Sequence, residues 1–355
     1  MEPVVVALSS NERYFPGLYC AVASVLSYLN PARKVDLRVL DDGISQASRD
    51  ALSGLISQLG RPARLEFVTV DASVFAKAAL GPGRSHMTYC RILLPQLLDV
   101  PRLIYVDSDL LVFRDLSELF DLPLSRGKVL AAVPDSETPT LGDDSRTIAD
   151  AMNLPHVGSY FNAGVMLLDL DELRMRNFTN RSFEFFNEWQ GCYRFHDQSA
   201  LNFLLHREIE ELPEHWNRAS WQFDAQNNNE LNCVLHYTGS APWLGGTPGP
   251  AQVLFERFAL NAGLEVDRQS ADFKKSRRQQ LFRSALAPVR AVGFRLLALF
   301  HRIAGRKEKC AAYQKAGHYW FTYIRKWPAR RRLHRQRVPE IARMKFNVPI
   351  LSVTA

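Results

Sequence analysis

Leu103-Ile104-Tyr105-Val106-Asp107-Ser108-Asp109 is the stretch from which the rest of this sequence is best read. Its four leading residues suit a strand buried on both faces. Two carboxylates, one residue apart, follow directly. Inside a strand they would point to opposite faces. At a strand end the chain can turn and aim both at one point. Two hard oxygen ligands suit Mg²⁺ or Mn²⁺, ions that bridge phosphate oxygens. D-x-D by itself is common, and a solvated acidic turn also accounts for it. The preceding strand gives the metal reading its weight, because open α/β sheets bind ligands beyond the C-terminal ends of their strands.

On either side of that stretch, short apolar runs alternate with helical spacing. Val4–Leu8, Val35–Leu40, Arg64–Val70, Leu103–Val106 and Val129–Val133 read as strands. Tyr19–Leu29, Gln46–Leu59 and Tyr89–Leu98 read as helices, with Tyr14-Phe15-Pro16-Gly17 as a turn before the first. The alternation predicts an α/β fold whose mostly parallel central sheet is covered on both faces. The first strand–helix pair lacks G-x-G-x-x-G, so the usual dinucleotide fingerprint is missing. Three further segments carry polar groups beside apolar runs: Tyr160-Phe161-Asn162-Ala163-Gly164-Val165-Met166, His196-Asp197-Gln198-Ser199-Ala200-Leu201-Asn202 and Val234-Leu235-His236-Tyr237-Thr238-Gly239. Taken singly, they are explained by a turn, a helix cap at Asp197 or Ser199, and a hydrogen-bonded core histidine.

Their order and content are more telling. With Asn11-Glu12-Arg13-Tyr14-Phe15-Pro16-Gly17, Tyr89-Cys90-Arg91, Tyr105-Val106-Asp107-Ser108-Asp109, Tyr160 to Val165, His196-Asp197-Gln198 and His236-Tyr237-Thr238-Gly239, the chain resembles the family 8 glycosyltransferases from Val4 to about Trp243. That family includes lipopolysaccharide galactosyl- and glucosyltransferases and glycogenin-like enzymes. The resemblance implies a GT-A fold and a retaining transferase that moves galactose or glucose from a UDP-sugar to a glycan acceptor, lipopolysaccharide or another lipid-linked glycan. It implies Mn²⁺, with Mg²⁺ as the alternative, bound by Asp107, Asp109 and His236; a mixed oxygen and imidazole set favours Mn²⁺. It places Arg91 near the donor, and Asp135, Asn162, Asp197 and Gln198 around the sugar. Ala7-Leu8-Ser9-Ser10-Asn11 would hold base and ribose, with Ser108 and Gly239 also at the donor. Many relatives carry a carboxylate where Ser9 or Ser10 stands here. Retention needs a covalent intermediate or attack from the face of departure. Gln198 stands where a nucleophile would, and an amide oxygen is a poor one, which favours same-face attack; Asp197 is the alternative nucleophile.

One departure matters. The family pattern H-x-x-G-x-x-K-P-W is here His236-Tyr237-Thr238-Gly239-Ser240-Ala241-Pro242-Trp243, without the Lys that meets the leaving diphosphate. On the analogy of an oxyanion donor its charge contributes roughly 2–4 kcal/mol to the transition state. Another base, the C-terminal region among the sources, has to replace it, or activity is reduced. A second reading follows from the same gap: a non-catalytic GT-A scaffold whose tail binds membrane or nucleic acid.

The charge of the chain is split. Residues 251–355 hold 23 Lys/Arg and 6 Asp/Glu, net +17; the first 250 residues are net −10, and the whole is +7. The breaker cluster Gly245-Gly246-Thr247-Pro248-Gly249-Pro250 marks the change of sign. The expected division is a catalytic domain over 1–250 and a basic, largely helical region over 251–355. On a wheel of 100° per residue, Leu286, Val289, Val292, Leu296, Leu297, Leu299, Phe300 and Ile303 share an arc of about 160°, opposite Arg283, Arg290, Arg295 and Arg302. Tyr319-Trp320-Phe321 and Trp327 lie among further Lys and Arg. This pattern suits an anionic membrane surface; a subdomain packed on the body is the plainer account, and nucleic acid is not expected as a partner. With 46% hydrophobic residues the chain can build a core. Five dispersed cysteines without a C-x-x-C pair point to free thiols in a reducing compartment. The expectation is therefore a cytoplasmic protein, peripheral on the inner face of a membrane.

Overall fold

The computed structural model describes residues 2–76, 78, 86–155, 158–223, 231–238, 241–244 and 250–268, with 274, 286, 289–290, 292–300 and 302–303 beyond them. The chain opens with β1 (Val4–Ser10), a β-branched run buried along almost its whole length. Asn11 then accepts a hydrogen bond from the Tyr14 N–H and caps a single 3₁₀ turn, Glu12–Tyr14. α1 (Phe15–Tyr28) starts at once. The turn expected at Tyr14–Gly17 is therefore mostly helix. Pro16 sits in the first helical turn, where its missing N–H has no partner to lose. α1 is apolar nearly all round and passes through the core, as its buried run Leu18–Leu26 shows.

β2 (Val35–Asp41), α2 (Gln46–Leu59) and β3 (Ala63–Thr69) follow. α2 is capped by Ser45, and Gly60 closes it at φ 59°, a left-handed conformation that glycine adopts without strain. The helix expected over Tyr89–Leu98 is not continuous. His86–Leu93 forms 3₁₀ turns, and Pro95 starts a separate short α3 (Leu94–Leu97). Next come β4 (Arg102–Val106), β5 (Leu110–Val112), α4 (Leu116–Phe120), β6 (Leu130–Pro134), α5 (Leu141–Ala151) and β7 (Phe161–Asp169). α6 (Leu170–Met175), α7 (Phe178–Glu188), α8 (Asp197–Leu205), β8 (Ile209–Glu211), β9 (Arg218–Ala219), β10 (Val234–His236) and α9 (Pro250–Asn261) complete the elements of the body among the described residues.

Among the described residues the main sheet has seven strands, in the order β3-β2-β1-β4-β7-β6-β8. Its pairs are parallel except those of β7, which runs against both β4 and β6. The mostly parallel sheet expected from the alternation is thus present. Three short strands form a second sheet, β5-β10-β9. It decides where the chemistry sits: β10 pairs antiparallel with β5, His236 opposite Leu110, which brings the histidine beside the end of Asp107-Ser108-Asp109.

α9 lies past the expected boundary at residue 250, yet it belongs to the body. Ala251, Leu254, Phe255, Phe258 and Ala259 are buried in the main core, and Phe258 meets Phe113 edge-on. The Tyr19 hydroxyl donates to the Ala262 carbonyl and the Tyr237 hydroxyl to that of Ala251. The change of charge at 250 is therefore not the edge of the packed body, because this first helix carries an apolar face that the core covers. Further on, residues 292–300 are helical. The apolar arc there is open: Val289, Val292, Leu296, Leu297, Leu299, Phe300 and Ile303 are between 42% and 79% exposed. Arg283 and the aromatic-basic run 319–332 lie outside the described residues. No helix among the described residues is long and apolar enough to cross a membrane. Cys20, Cys90 and Cys233 are buried free thiols and Cys192 is an exposed one.

Candidate active site

β4 ends at Val106, and the next N–H, that of Asp107, donates to the Gly164 carbonyl on β7 at 2.8 Å. The Asp109 carbonyl accepts from Tyr237 N–H, also at 2.8 Å. The two aspartates are thereby pinned by two different sheets and turned toward one another. Ser108 Oγ donates to the Ser9 carbonyl at 2.6 Å and locks the same loop onto the end of β1. His236 Nε2 stands 3.2 Å from Asp109 Oδ1 and 3.7 Å from Asp107 Oδ2. One ligand atom from each of Asp107, Asp109 and His236 lies within 4.8 Å of the other two. Burial disfavours the charged His236 ring, yet Asp109 and Asp107 outweigh it and hold the imidazole pKa above its usual value. Two carboxylates and one imidazole nitrogen converging in this way fit a divalent ion.

The ring of His236 is seated on a glycine. A Cβ at Gly164 would overlap its Cε1 and come within 2.6 Å of Nδ1. Gly17 plays a similar part on the other side of the loop, since a Cβ there would meet both the Trp243 ring and the Ser108 carbonyl. Trp243 also donates from Nε1 to the Arg13 carbonyl at 3.1 Å, so the chain after His236 is fastened to the 3₁₀ turn that leads into α1.

Arg91 is the buried cation of the site. It bonds to Asp107 Oδ1 at 2.8 Å, pairs with Asp197 Oδ2 at 2.8 Å, donates to the Ala163 carbonyl, and lies over the Tyr105 ring at 4.6 Å. Burial opposes its charge, but Asp107 and Asp197 carry its pKa up. Burial pushes both carboxyls above their ordinary range while Arg91 pulls them back. Asp197 takes a second bond, from Thr88 Oγ1 at 2.8 Å. The residue before it, His196, holds φ 56° without being glycine, a strain of about 1–3 kcal/mol of the kind that collects at functional sites. Neither Asp197 nor Ser199 is the cap of α8. His196 occupies that position, and Ser199 Oγ accepts from the N–H of Phe195.

Gln198 is fixed at both ends of its amide. Oε1 accepts from Ala163 N–H at 3.0 Å, and Nε2 donates to Asp135 Oδ2 at 3.1 Å. Asn162 Nδ2 donates to the same Asp135 oxygen at 3.2 Å. Two adjoining pockets open over these groups and share Thr88, Arg91 and Asp107. One runs along Ser9, Ser10, Asn11 and Tyr14; the other is lined by Asn162, Asp197, Gln198 and His236. Ser9 Oγ contacts the Tyr105 hydroxyl at 2.7 Å, and that hydroxyl donates to Asp107 Oδ1 at 3.1 Å. The first loop is thus tied to the carboxylate cluster.

Most of the side chains singled out in the sequence meet here. Ala7 does not: it is fully buried inside β1, behind the lining that begins at Ser9. Gly239 lies outside the described residues. Thr88 and Asn217 are additions. Thr88 stands just before the Tyr89-Cys90-Arg91 motif, which is the signal that could have found it. Asn217, bonded to His236 Nδ1 and Asn162, has no local pattern to announce it.

The comparisons with known proteins agree with one another. Residues 5–246 match the description "Glycosyl transferase family 8". General stress protein A of Bacillus subtilis (strain 168) is 30% identical over 271 residues, covering 70% of this chain and 90% of that protein. Lipopolysaccharide 1,2-glucosyltransferase of Escherichia coli (strain K12) is 30% identical over 172 residues, 45% of this chain and 49% of that protein. Among solved structures, the galactosyltransferase LgtC in complex with donor and acceptor sugar analogues superposes with a TM-score of 0.61 at 24% identity, covering 77% of this chain and all of that one. With a family match over two thirds of its length and this fold, the chain belongs to glycosyl transferase family 8 and is a glycosyltransferase of GT-A fold.

Proposed function

We propose that this chain is a Mn²⁺-dependent retaining hexosyltransferase that moves galactose or glucose from a UDP-sugar to a glycan, lipopolysaccharide or another lipid-linked acceptor. The observation that carries the reading is the convergence of Asp107, Asp109 and His236 within 4.8 Å at the junction of the two pockets. Those three residues would hold the ion, Mn²⁺ in preference to Mg²⁺ on the ligand set. A bound divalent ion offsets the charge that a departing nucleoside diphosphate gains. In this reading Ser9, Ser10 and Asn11 bind the nucleoside end of the donor, and Ser108 holds their loop in place. Arg91, Asn162, Asp197 and Gln198 surround the sugar, and Asp135 orients two of them. The paired state of Asp197, held by Arg91 and Thr88, restrains it as a nucleophile and supports same-face attack beside the amide of Gln198. The exposed apolar arc over 289–303, with Arg290, Arg295 and Arg302 on the opposite side of the wheel, supports peripheral docking on an anionic inner membrane face. The test is to mix the protein with UDP-Gal, UDP-Glc and UDP-GlcNAc, each with and without Mn²⁺. Release of UDP that depends on the ion is expected with one of the first two; no release and no binding with any donor would sink the proposal.

A further inference from the structure

Asn217 follows the 3₁₀ turn Glu214–Trp216 and immediately precedes β9. It is 8% exposed and belongs to none of the sequence motifs. Its amide joins two groups of the site. Asn217 Oδ1 is 2.9 Å from His236 Nδ1, and Asn217 Nδ2 donates to Asn162 Oδ1 at 2.8 Å.

The direction of this chain of bonds follows from one backbone group. Gly164 N–H donates to the Asn162 side chain at 2.9 Å. A backbone N–H can only donate, so the Asn162 atom that receives it is the oxygen. The Asn217 atom facing that oxygen must then be its NH₂ group, which leaves the carbonyl oxygen of Asn217 toward His236. An oxygen there can only accept, so His236 Nδ1 carries a hydrogen. In the neutral ring the other nitrogen, Nε2, then has a bare lone pair, aimed at the space between Asp107 and Asp109. The far end is anchored as well: Asn162 Nδ2 and Gln198 Nε2 both donate to Asp135 Oδ2, while Asp135 Oδ1 accepts from the N–H groups of Glu137 and Thr138.

Asp109 pulls the other way. A carboxylate oxygen 3.2 Å from Nε2 favours a hydrogen on that nitrogen, the tautomer that cannot ligate a metal through Nε2. We propose that Asn217 is a positioning residue: it holds the hydrogen of His236 on Nδ1 and so presents Nε2 as a ligand, while its NH₂ group sets Asn162 on the sugar side. This inference rests on the metal reading of Asp107, Asp109 and His236.

Two variants separate the parts. Asn217→Leu removes the acceptor at similar size; Asn217→Asp keeps an acceptor for Nδ1 and removes the donor to Asn162. Two readouts apply: Mn²⁺ affinity, from the free-ion signal in electron paramagnetic resonance, and the His236 tautomer in metal-free protein, from ¹⁵N shifts of labelled histidine at a pH above its raised pKa, where the ring is neutral. Asn217→Leu is expected to bind Mn²⁺ on the order of 10–100-fold more weakly and to lose the Nδ1–H tautomer. Asn217→Asp is expected to stay within about threefold of the unaltered protein in Mn²⁺ affinity, and to raise the donor KM through Asn162. The inference is overturned if Asn217→Leu keeps the tautomer and the affinity, or if both variants, shown folded by cooperative melting, lose Mn²⁺ alike. If the unaltered protein binds no Mn²⁺, the metal reading fails, and the tautomer measurement still decides the role of Asn217.

Discussion

One methyl group at position 164 is enough to test the geometry of the site. Gly164 cannot yield, because its carbonyl holds Asp107 N–H and its N–H holds Asn162. The His236 ring must therefore move if a Cβ appears. Gly164→Ala is expected to weaken Mn²⁺ binding and to lower transferase activity by about two orders of magnitude or more, by analogy with the loss of one charge-stabilising group. The overpacking cost to the fold is roughly 1–3 kcal/mol. Comparing Mn²⁺ titration with thermal melting of the same variant separates the two effects. If the variant binds Mn²⁺ as the unaltered protein does, His236 is not a ligand.

Among the elements, α1 and the turn Pro242–Leu244 lock the loop that carries both aspartates. Gly17→Ala pushes on the Trp243 ring, which could rotate, and on the Ser108 carbonyl, which could not without moving Asp107 and Asp109. The expected result is a loss of about 1–3 kcal/mol in denaturant unfolding together with reduced donor turnover. A variant that loses stability but keeps full turnover would show that this helix does not position the loop. Elements of this size also mark how far the sequence could be read. α2 and the strands β1 to β4 were legible within one or two residues, because each is a run of one clear period. β5, three residues long, gave no such signal; the short apolar run that ends at His236 was visible, but not its pairing with β5, which delivers His236 to the aspartates. The segment Tyr89–Leu98 read as one helix; Pro95, which has no N–H to donate four residues back, instead separates the 3₁₀ turns His86–Leu93 from α3. In the site, Asp107, Asp109, Arg91, Gln198 and His236 could be picked out because motifs with local order carry them. Asn217 could not, since its role exists only once two loops distant in sequence have met.

For the molecule as a whole, the acidic body and the basic region past α9 invite separation. A chain ending after residue 268 keeps α9 and every described residue of the site. It is expected to bind Mn²⁺ and release UDP from its donor, yet to lose sedimentation with vesicles containing anionic lipid. The full chain should be released from those vesicles by salt, as the Debye length falls from about 10 Å at 0.1 M to about 3 Å at 1 M. Full vesicle binding by the shortened chain would place the docking surface on the body instead. The two sheets have a further consequence. Asp107 and His236 stand at opposite ends of more than a third of the chain and are joined only when β10 pairs with β5 in the small second sheet. Closing so long a loop is entropically costly and comes late, after local strand–helix pairs have formed. Contacts missing from the folding transition state act on unfolding rather than on folding. Mn²⁺ is therefore expected to leave the refolding rate of this protein almost unchanged and to slow its unfolding, so that the ion prolongs the life of the folded enzyme; an equal acceleration of refolding, seen by stopped-flow tryptophan fluorescence, would mean that the junction of the two sheets forms early.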